Sequence, residues 1–308
     1  MLDISLIGTG GMMPLPHRHL SSLLMRYEGR LILIDCGEGS QVTQKQLGWG
    51  YKTIDAICLT HFHADHVAGL PGLLLSIAHS ERTQALTIIG PAGVAHIVKS
   101  LCVIVGELPF ALNFVEIPKD GFTGFKVPLT NFHLSAAPAL HNCPTFAFRV
   151  DIHRKGRFDA EAAKGHGIPL QFWNKLQKGQ VVEYEGQTFT PSMVMGEDRK
   201  GLSVSYITDS RPPKWIPDFI KGSDLFICEG QYGDEALLQK AKAHRHMIFS
   251  EAATMARAGN VGKMWLTHFS PALQNPKDYL QNARKIFPKT YVGYDRITET
   301  LNFEDNTT

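Results

Sequence analysis

The chain contains no run of 18 apolar residues, so no helix able to cross a bilayer is expected. It has no CxxC pair. Its five cysteines, Cys36, Cys58, Cys102, Cys143 and Cys228, are scattered and odd in number, which points to free thiols in apolar surroundings and away from a disulfide framework. Net charge is small, +2 with histidine neutral. That excludes any whole-chain argument for nucleic acid, although a local patch can bind phosphates on a nearly neutral protein. Repeats and low-complexity segments are missing. The opening MLDISLIGTGGMMP lacks the basic stretch, apolar core and cleavage site of a signal peptide, so a cytoplasmic location is expected.

What remains is a chain of 308 residues, 44% hydrophobic and 19% charged. That suits one large globular domain, over residues 1–308, with room for an insertion. Short β-rich runs alternate with helical ones. LDISLIGTG reads as a first strand. SSLLMRYEGRLILIDCG reads as a hairpin turning at Glu28-Gly29. AICLT is an apolar strand entering a polar loop. GLPGLLLSIAHS, VAHIVKSLCVIV, SEAATMARAGN and DYLQNARKIFP read as helices. ALTIIGP, LNFVEI, FKVPL, FHLSAAPAL, TFAFRVDI, LSVSYIT, LFICEG, KMWLT, YVGYD and ITETLNF read as strands. This alternation predicts an α/β fold with mixed sheets. Residues 151–201 differ in character. They hold an Ala-rich helical run, an amphipathic QFWNKLQKG and a Gly-bounded strand pair. Eight basic and seven acidic residues there make the stretch an inserted arm and not a basic tail. The Thr-rich end after Asp305 is expected to fray.

Fourteen histidines are the unusual feature, and their placement matters. Thr60-His61-Phe62-His63-Ala64-Asp65-His66 carries three imidazoles and a carboxylate just after an apolar strand. In a tight loop leaving a strand, alternate side chains point the same way. His61 and His63 can then chelate one cation, while Asp65 and His66 face a second. Imidazole with carboxylate suits catalytic zinc, which keeps one position open for water. Two ions need more ligands than this loop supplies. His141 after LSAAPAL, Asp209 after SVSYIT and His268 after KMWLT each end a buried strand. The expected assignment is His61, His63 and His141 to one zinc, and Asp65, His66 and His268 to the other, with Asp209 bridging. A pair of zinc ions about 3.5–4 Å apart would lower the proton affinity of a bound water. Asp65 could accept its proton. His79, His96, His133, His153, His166 and His244 lack a ligand context and read as surface or packing residues.

HxHxDH followed by a lone His, a lone Asp and a final His, in that order, resembles the metallo-β-lactamase superfamily. Within it the chain is similar to the tRNase Z family, through IGTGGMMP, LILIDCGEGSQ, LTHFHADHVAGLPGLL, RFDAEAAKGHGIP, YITDSRP and LTHFSP. The resemblance implies an αββα four-layer sandwich, two mixed β-sheets flanked by helices, with the site at one edge. It implies a zinc-dependent endoribonuclease that trims the 3′ trailer of precursor tRNA, working as a homodimer. It places 151–201 where the family's tRNA-gripping exosite arm lies. It makes Asp35 an orienting carboxylate near the metals, with a turn cap beside Gly37 as the structural alternative. It also makes His246, backed by Glu229, the proton donor to the leaving oxygen.

Four stretches depart from the family pattern. Cys228-Glu229-Gly230-Gln231 stands for His-Glu-Ala-Thr. His246-Met247-Ile248 stands for His-Ser-Thr, which predicts the loss of two hydroxyls near the substrate phosphate. After Ile168-Pro169, Leu170-Gln171-Phe172-Trp173 stands where the family has a Pro-Gly-Pro turn. The N-terminal loop reads Pro14-Leu15-Pro16-His17-Arg18-His19, without the family's Lys and Arg-Asn pair. These changes leave the metal ligands intact and fall on substrate contacts. They keep open a hydrolase of another substrate: a cyclic nucleotide, a small phosphodiester or a thioester.

Overall fold

The computed structural model describes residues 1–304; the Thr-rich end lies outside them. Among the described residues sixteen strands form. They are β1 (Leu2–Gly8), β2 (Ser22–Tyr27), β3 (Arg30–Ile34), β4 (Ile54–Cys58), β5 (Leu86–Gly90), β6 (Leu112–Glu116), β7 (Phe122–Lys126) and β8 (His133–Pro138). Then follow β9 (Phe146–Arg154), β10 (Val182–Tyr184), β11 (Gln187–Phe189), β12 (Arg199–Ile207), β13 (Leu225–Glu229), β14 (Met264–Thr267), β15 (Thr290–Val292) and β16 (Thr298–Leu301).

Two seven-stranded sheets result, in the orders β16-β1-β2-β3-β4-β5-β6 and β15-β14-β13-β12-β9-β8-β7. Both are mixed. β3 to β6 run parallel while β1, β2 and β16 pair antiparallel. β12 to β15 run parallel while β7, β8 and β9 pair antiparallel. The β2–β3 hairpin turns where Glu28 and Gly29 both take positive φ, as a two-residue type I′ connection requires.

Every residue of β4, β5, β13 and β14 is buried. Central parallel strands covered on both faces read as continuous apolar runs. Helix Leu70–Ala78 and helix Val94–Leu101 lay Leu70, Leu73, Leu74, Ile77, Val94 and Val98 against Leu31, Leu33, Ile57 and Ile88. Helix Phe249–Ala258 packs Phe249, Ala252, Ala253 and Ala256 against Ile207, Phe226, Cys228 and Leu266. The expected architecture, two mixed sheets flanked by helices, is the one observed.

The chain divides into two compact units. The first comprises Met1–Asp151 and Ser203–Asn302 and holds both sheets' site-bearing ends. The second comprises Ile152–Leu202 with the chain end from Phe303. It has its own small core of Ala163, Ile168, Leu176, Val182, Phe189 and Val194, two short helices and the β10–β11 hairpin. Asp159 caps the first helix by accepting from Ala162 N–H at 2.9 Å.

Two details differ from the sequence reading. The expected strand at FKVPL runs from Phe122 to Lys126 and stops short of Pro128, which cannot donate to a ladder. Two helices, Ser40–Leu47 and Leu238–His244, were not anticipated. The cysteines agree with that reading: all five are free, with Cys36, Cys58 and Cys228 buried.

Candidate metal centre

The site residues lie at or just beyond the C-terminal ends of strands. His61 to His66 follow β4, His141 follows β8, Asp209 follows β12, Glu229 ends β13 and His268 follows β14. Asp35 follows β3. Asp35, Asp209 and His268 all have positive φ, at 60°, 49° and 56°. Non-glycine residues seldom adopt that conformation, and it clusters at functional sites where surrounding bonds enforce it. Here it turns three side chains out of their strands towards one point.

Three sets of donor atoms form there among the described residues. His61, His63, His141 and Asp209 make one and Asp65, His66 and His268 a second; the third, Asp209, His246 and His268, shares a residue with each. Within each, the donor atoms lie inside 4.8 Å of one another. Asp209 faces the first two. Its Oδ1 lies 3.1 Å from His66 Nε2 and 3.0 Å from His268 Nε2. Its Oδ2 lies 3.7 Å from both His61 Nε2 and His141 Nε2. His63 Nδ1 lies 3.0 Å from His61 Nε2 and 3.3 Å from His141 Nε2. Asp65 Oδ2 lies 3.3 Å from His268 Nε2.

These spacings fit cations. Four ligands set tetrahedrally at about 2.0–2.1 Å from zinc stand roughly 3.3 Å apart. Three of the outer ring nitrogens are committed elsewhere, which fixes those tautomers, while His268 Nδ1 is buried with no partner among the described residues. His66 Nδ1 donates to Asp35 Oδ2 at 2.8 Å. His61 Nδ1 donates to Thr60 Oγ1 at 3.0 Å, since that hydroxyl's own proton goes to Asp35. His141 Nδ1 donates to Arg245 O at 3.3 Å. Those bonds leave three Nε2 atoms facing the metal positions, where each can offer a lone pair once a cation replaces any proton. That set suits a borderline-soft divalent cation.

Asp35 orients the loop. It accepts from Thr60 N–H, the Thr60 hydroxyl and His66, while Gly37 N–H goes to Ser21 O. The turn-cap alternative does not form. Burial alone would lower the His66 pKa, but Asp209 and Asp35 outweigh it and raise it well above the ordinary value. Burial raises a carboxyl pKa, yet the neighbouring imidazoles hold Asp209 well below the ordinary range. A cation entering here displaces a proton from His66 and finds its carboxylate already ionised.

Beside the first two sets stands His246. Its ring lies 5.3 Å from that of His141 and 5.6 Å from that of His268. His246 Nδ1 donates to Glu229 Oε2 at 3.1 Å. Glu229 is fully buried and also accepts from Ser210 N–H and Met247 N–H. Burial would lower the His246 pKa; Glu229 overcomes this and raises it to about 9.

Four supporting residues escaped the sequence reading. Arg245 grips His141 twice, through its own carbonyl and through Nη1 to His141 O at 2.7 Å. Arg211 donates to His246 O and pairs with Glu251. Gln231 is buried beside His268, and Gly11 permits that contact. A Cβ on Gly11 would stand 2.6 Å from His268 Cε1 and 2.9 Å from Gln231 Oε1. Gly11→Ala is therefore expected to push the His268 ring aside and weaken zinc binding at least roughly tenfold. A zinc titration with a competing chelator checks this; unaltered affinity for every bound cation would refute it. One expectation is corrected. Met247 and Ile248 do not stand where hydroxyls were missed, because both side chains are buried in apolar clusters.

A sandwich of two mixed sheets, with paired His/Asp groups at its strand ends, defines a metallo-β-lactamase-fold hydrolase. The comparisons agree. Human tRNase Z, short form, superposes with a TM-score of 0.69 at 22% identity, covering 98% of this chain and 100% of that one. A metallo-β-lactamase fold protein from Bacillus subtilis also gives 0.69, at 18% identity, covering 97% of this chain and 100% of that one. A family model described as "Anti-Pycsar protein Apyc1" matches residues 2–103. Ribonuclease Z of Clostridium acetobutylicum is 48% identical over 309 residues, covering 99% of this chain and 100% of that protein. Ribonuclease Z of Lachnospira eligens is 49% identical over 305 residues, covering 99% of each. The chain belongs to the ribonuclease Z family.

Proposed function

We propose that this protein is a zinc-dependent endoribonuclease that removes the 3′ trailer of precursor tRNA. The observation that carries the proposal is Asp209, which offers one oxygen to each of two ligand groups at the head of a cavity of about 430 Å³. Near-full-length similarity to proteins named ribonuclease Z supports the substrate. His61, His63 and His141 would hold one zinc, Asp65, His66 and His268 the other, with Asp209 between them. Two bound zinc ions supply Lewis acidity towards a phosphoryl oxygen and a water of lowered pKa.

The chain's own groups do the rest. Asp65 Oδ2 is fixed by Met12 N–H at 2.7 Å and accepts a proton from the attacking water. His246 gives a proton from Nε2 to the departing ribose oxygen, and Glu229 keeps that imidazole charged and aimed. Because water attacks, and not the neighbouring 2′-hydroxyl, no cyclic phosphate forms.

The resemblance supports a cytoplasmic homodimer, with Ile152–Leu202 as the arm that grips tRNA. No helix among the described residues is long and apolar enough to cross a membrane. The deciding experiment offers the zinc-loaded protein a precursor tRNA with a 3′ trailer and, separately, bis(p-nitrophenyl) phosphate. Trimming of the precursor to a 3′-hydroxyl end is expected. Cleavage of the small ester with the precursor left whole would favour a hydrolase of another substrate.

A further inference from the structure

The cavity beside the ligand groups has acidic and basic lining residues with different fates. Its carboxylates, Asp65 and Asp209, are committed to the cations. Its other wall comes from the helix Leu238–His244, which contributes Lys240 and His244. These two stand four residues apart, on one helix face. Both are exposed, and neither has a carboxylate within ion-pair distance among the described residues. Lys240 Nζ sits 5.5 Å from the centroid of Tyr232, a buried ring that also lines the cavity. A lysine carried over an aromatic face is steered, not loose. Met247 and Ile248, buried as described, give the cavity no side-chain donor of their own.

A pocket with two cation positions and an unneutralised ammonium group beside them is built for more than one anion. One phosphate occupies the metal positions. We propose that Lys240, with the N–H of His244, grips the phosphate next to the scissile one. The pocket thereby selects a polynucleotide over a substrate carrying a single phosphate. The inference rests on the ribonuclease reading and sharpens it. His244, which looked like a surface or packing residue in the sequence, becomes part of substrate recognition, and the donors expected from the loop at 247 and 248 come from the preceding helix.

The test uses the zinc-loaded full chain and two substrates. Precursor tRNA carries consecutive phosphates; bis(p-nitrophenyl) phosphate carries one. Lys240→Ala is expected to raise KM for precursor tRNA about fivefold to tenfold with kcat little changed. The slope of log KM against log salt should fall by about 0.7–0.9, the change expected for one lost phosphate contact. Activity on the single-phosphate ester should stay within about twofold. Lys240→Arg should restore the salt slope, and Lys240→Ala combined with His244→Ala should lower KM discrimination further. If Lys240→Ala matches wild type in both KM and salt slope while wild type trims the precursor, this inference fails alone. Equal losses on both substrates would also overturn it, since the lysine would then be acting on the metal centre. A wild type that leaves the precursor whole refutes the ribonuclease reading, and the inference with it.

Discussion

Asp209→Ala is expected to lower phosphodiester hydrolysis at least about 10³-fold, some 4 kcal/mol of transition-state stabilisation, and to weaken both cations together. Among the described residues no other offers an oxygen to each group. Removing it leaves four imidazole Nε2 atoms without the charge that neutralises the ions they would hold. His63→Ala makes the contrast. It belongs to one group only, so it should deplete one cation and keep the other. Metal content by mass spectrometry, taken with rates and far-ultraviolet circular dichroism, separates the two variants. Full activity in Asp209→Ala, or two tightly held cations with the carboxylate gone, would contradict the assigned bridge.

His246→Ala is expected to slow precursor cleavage by about 10²–10⁴-fold while leaving the cations in place. The effect depends on the leaving group. A ribose oxygen needs a proton as it departs; p-nitrophenolate does not. The same variant should therefore cleave bis(p-nitrophenyl) phosphate at close to the wild-type rate. Equal slowing on both esters would assign His246 a metal-supporting role instead. The pH dependence has a definite sign. His246 works as an acid only while protonated, so activity falls as pH rises through its pKa. Burial lowers that pKa and Glu229 raises it to about 9; the nearby cations repel the proton, so the alkaline limb should appear at or below about 9. Glu229→Gln removes the largest raising charge, leaves only Asp209 and Asp65 against burial, and should move the limb towards lower pH. An unmoved limb would exclude the Glu229–His246 pair from proton donation.

The pattern of the centre was readable wherever chemistry was dense along the chain. Thr60 to His66 bring three imidazoles and a carboxylate into one loop, and no fold knowledge is needed to see a chelator. His141, Asp209 and His268 were readable from their setting, a polar group where an apolar strand ends. Other features depend on contacts distant in sequence. Nothing in the composition marks Asp35, Asp209 and His268 as left-handed; their backbone is set by the bonds around them. Arg245 looks like an ordinary helix-ending cation until its guanidinium meets a carbonyl 104 residues earlier. The Met247 and Ile248 substitutions suggested a damaged phosphate loop, yet burial turns both side chains into the core. Helix Ser40–Leu47 was missed because SQVTQKQL is almost wholly polar and shows no apolar stripe. The stretch at 151–201 stood out by its change of character, and those limits lie within one residue of the compact unit Ile152–Leu202. β9 and β12 run through both ends of it, so residues 151 and 201 fall inside strands.

Anomalous X-ray scattering from crystals of the zinc-loaded protein, recorded on both sides of the zinc absorption edge, bears most directly on the paired centre. Two peaks about 3.5–4 Å apart are predicted, one inside the ring of His61, His63 and His141, the other against Asp65, His66 and His268, with Asp209 touching both. A single peak, or peaks only at the protein surface, would contradict it.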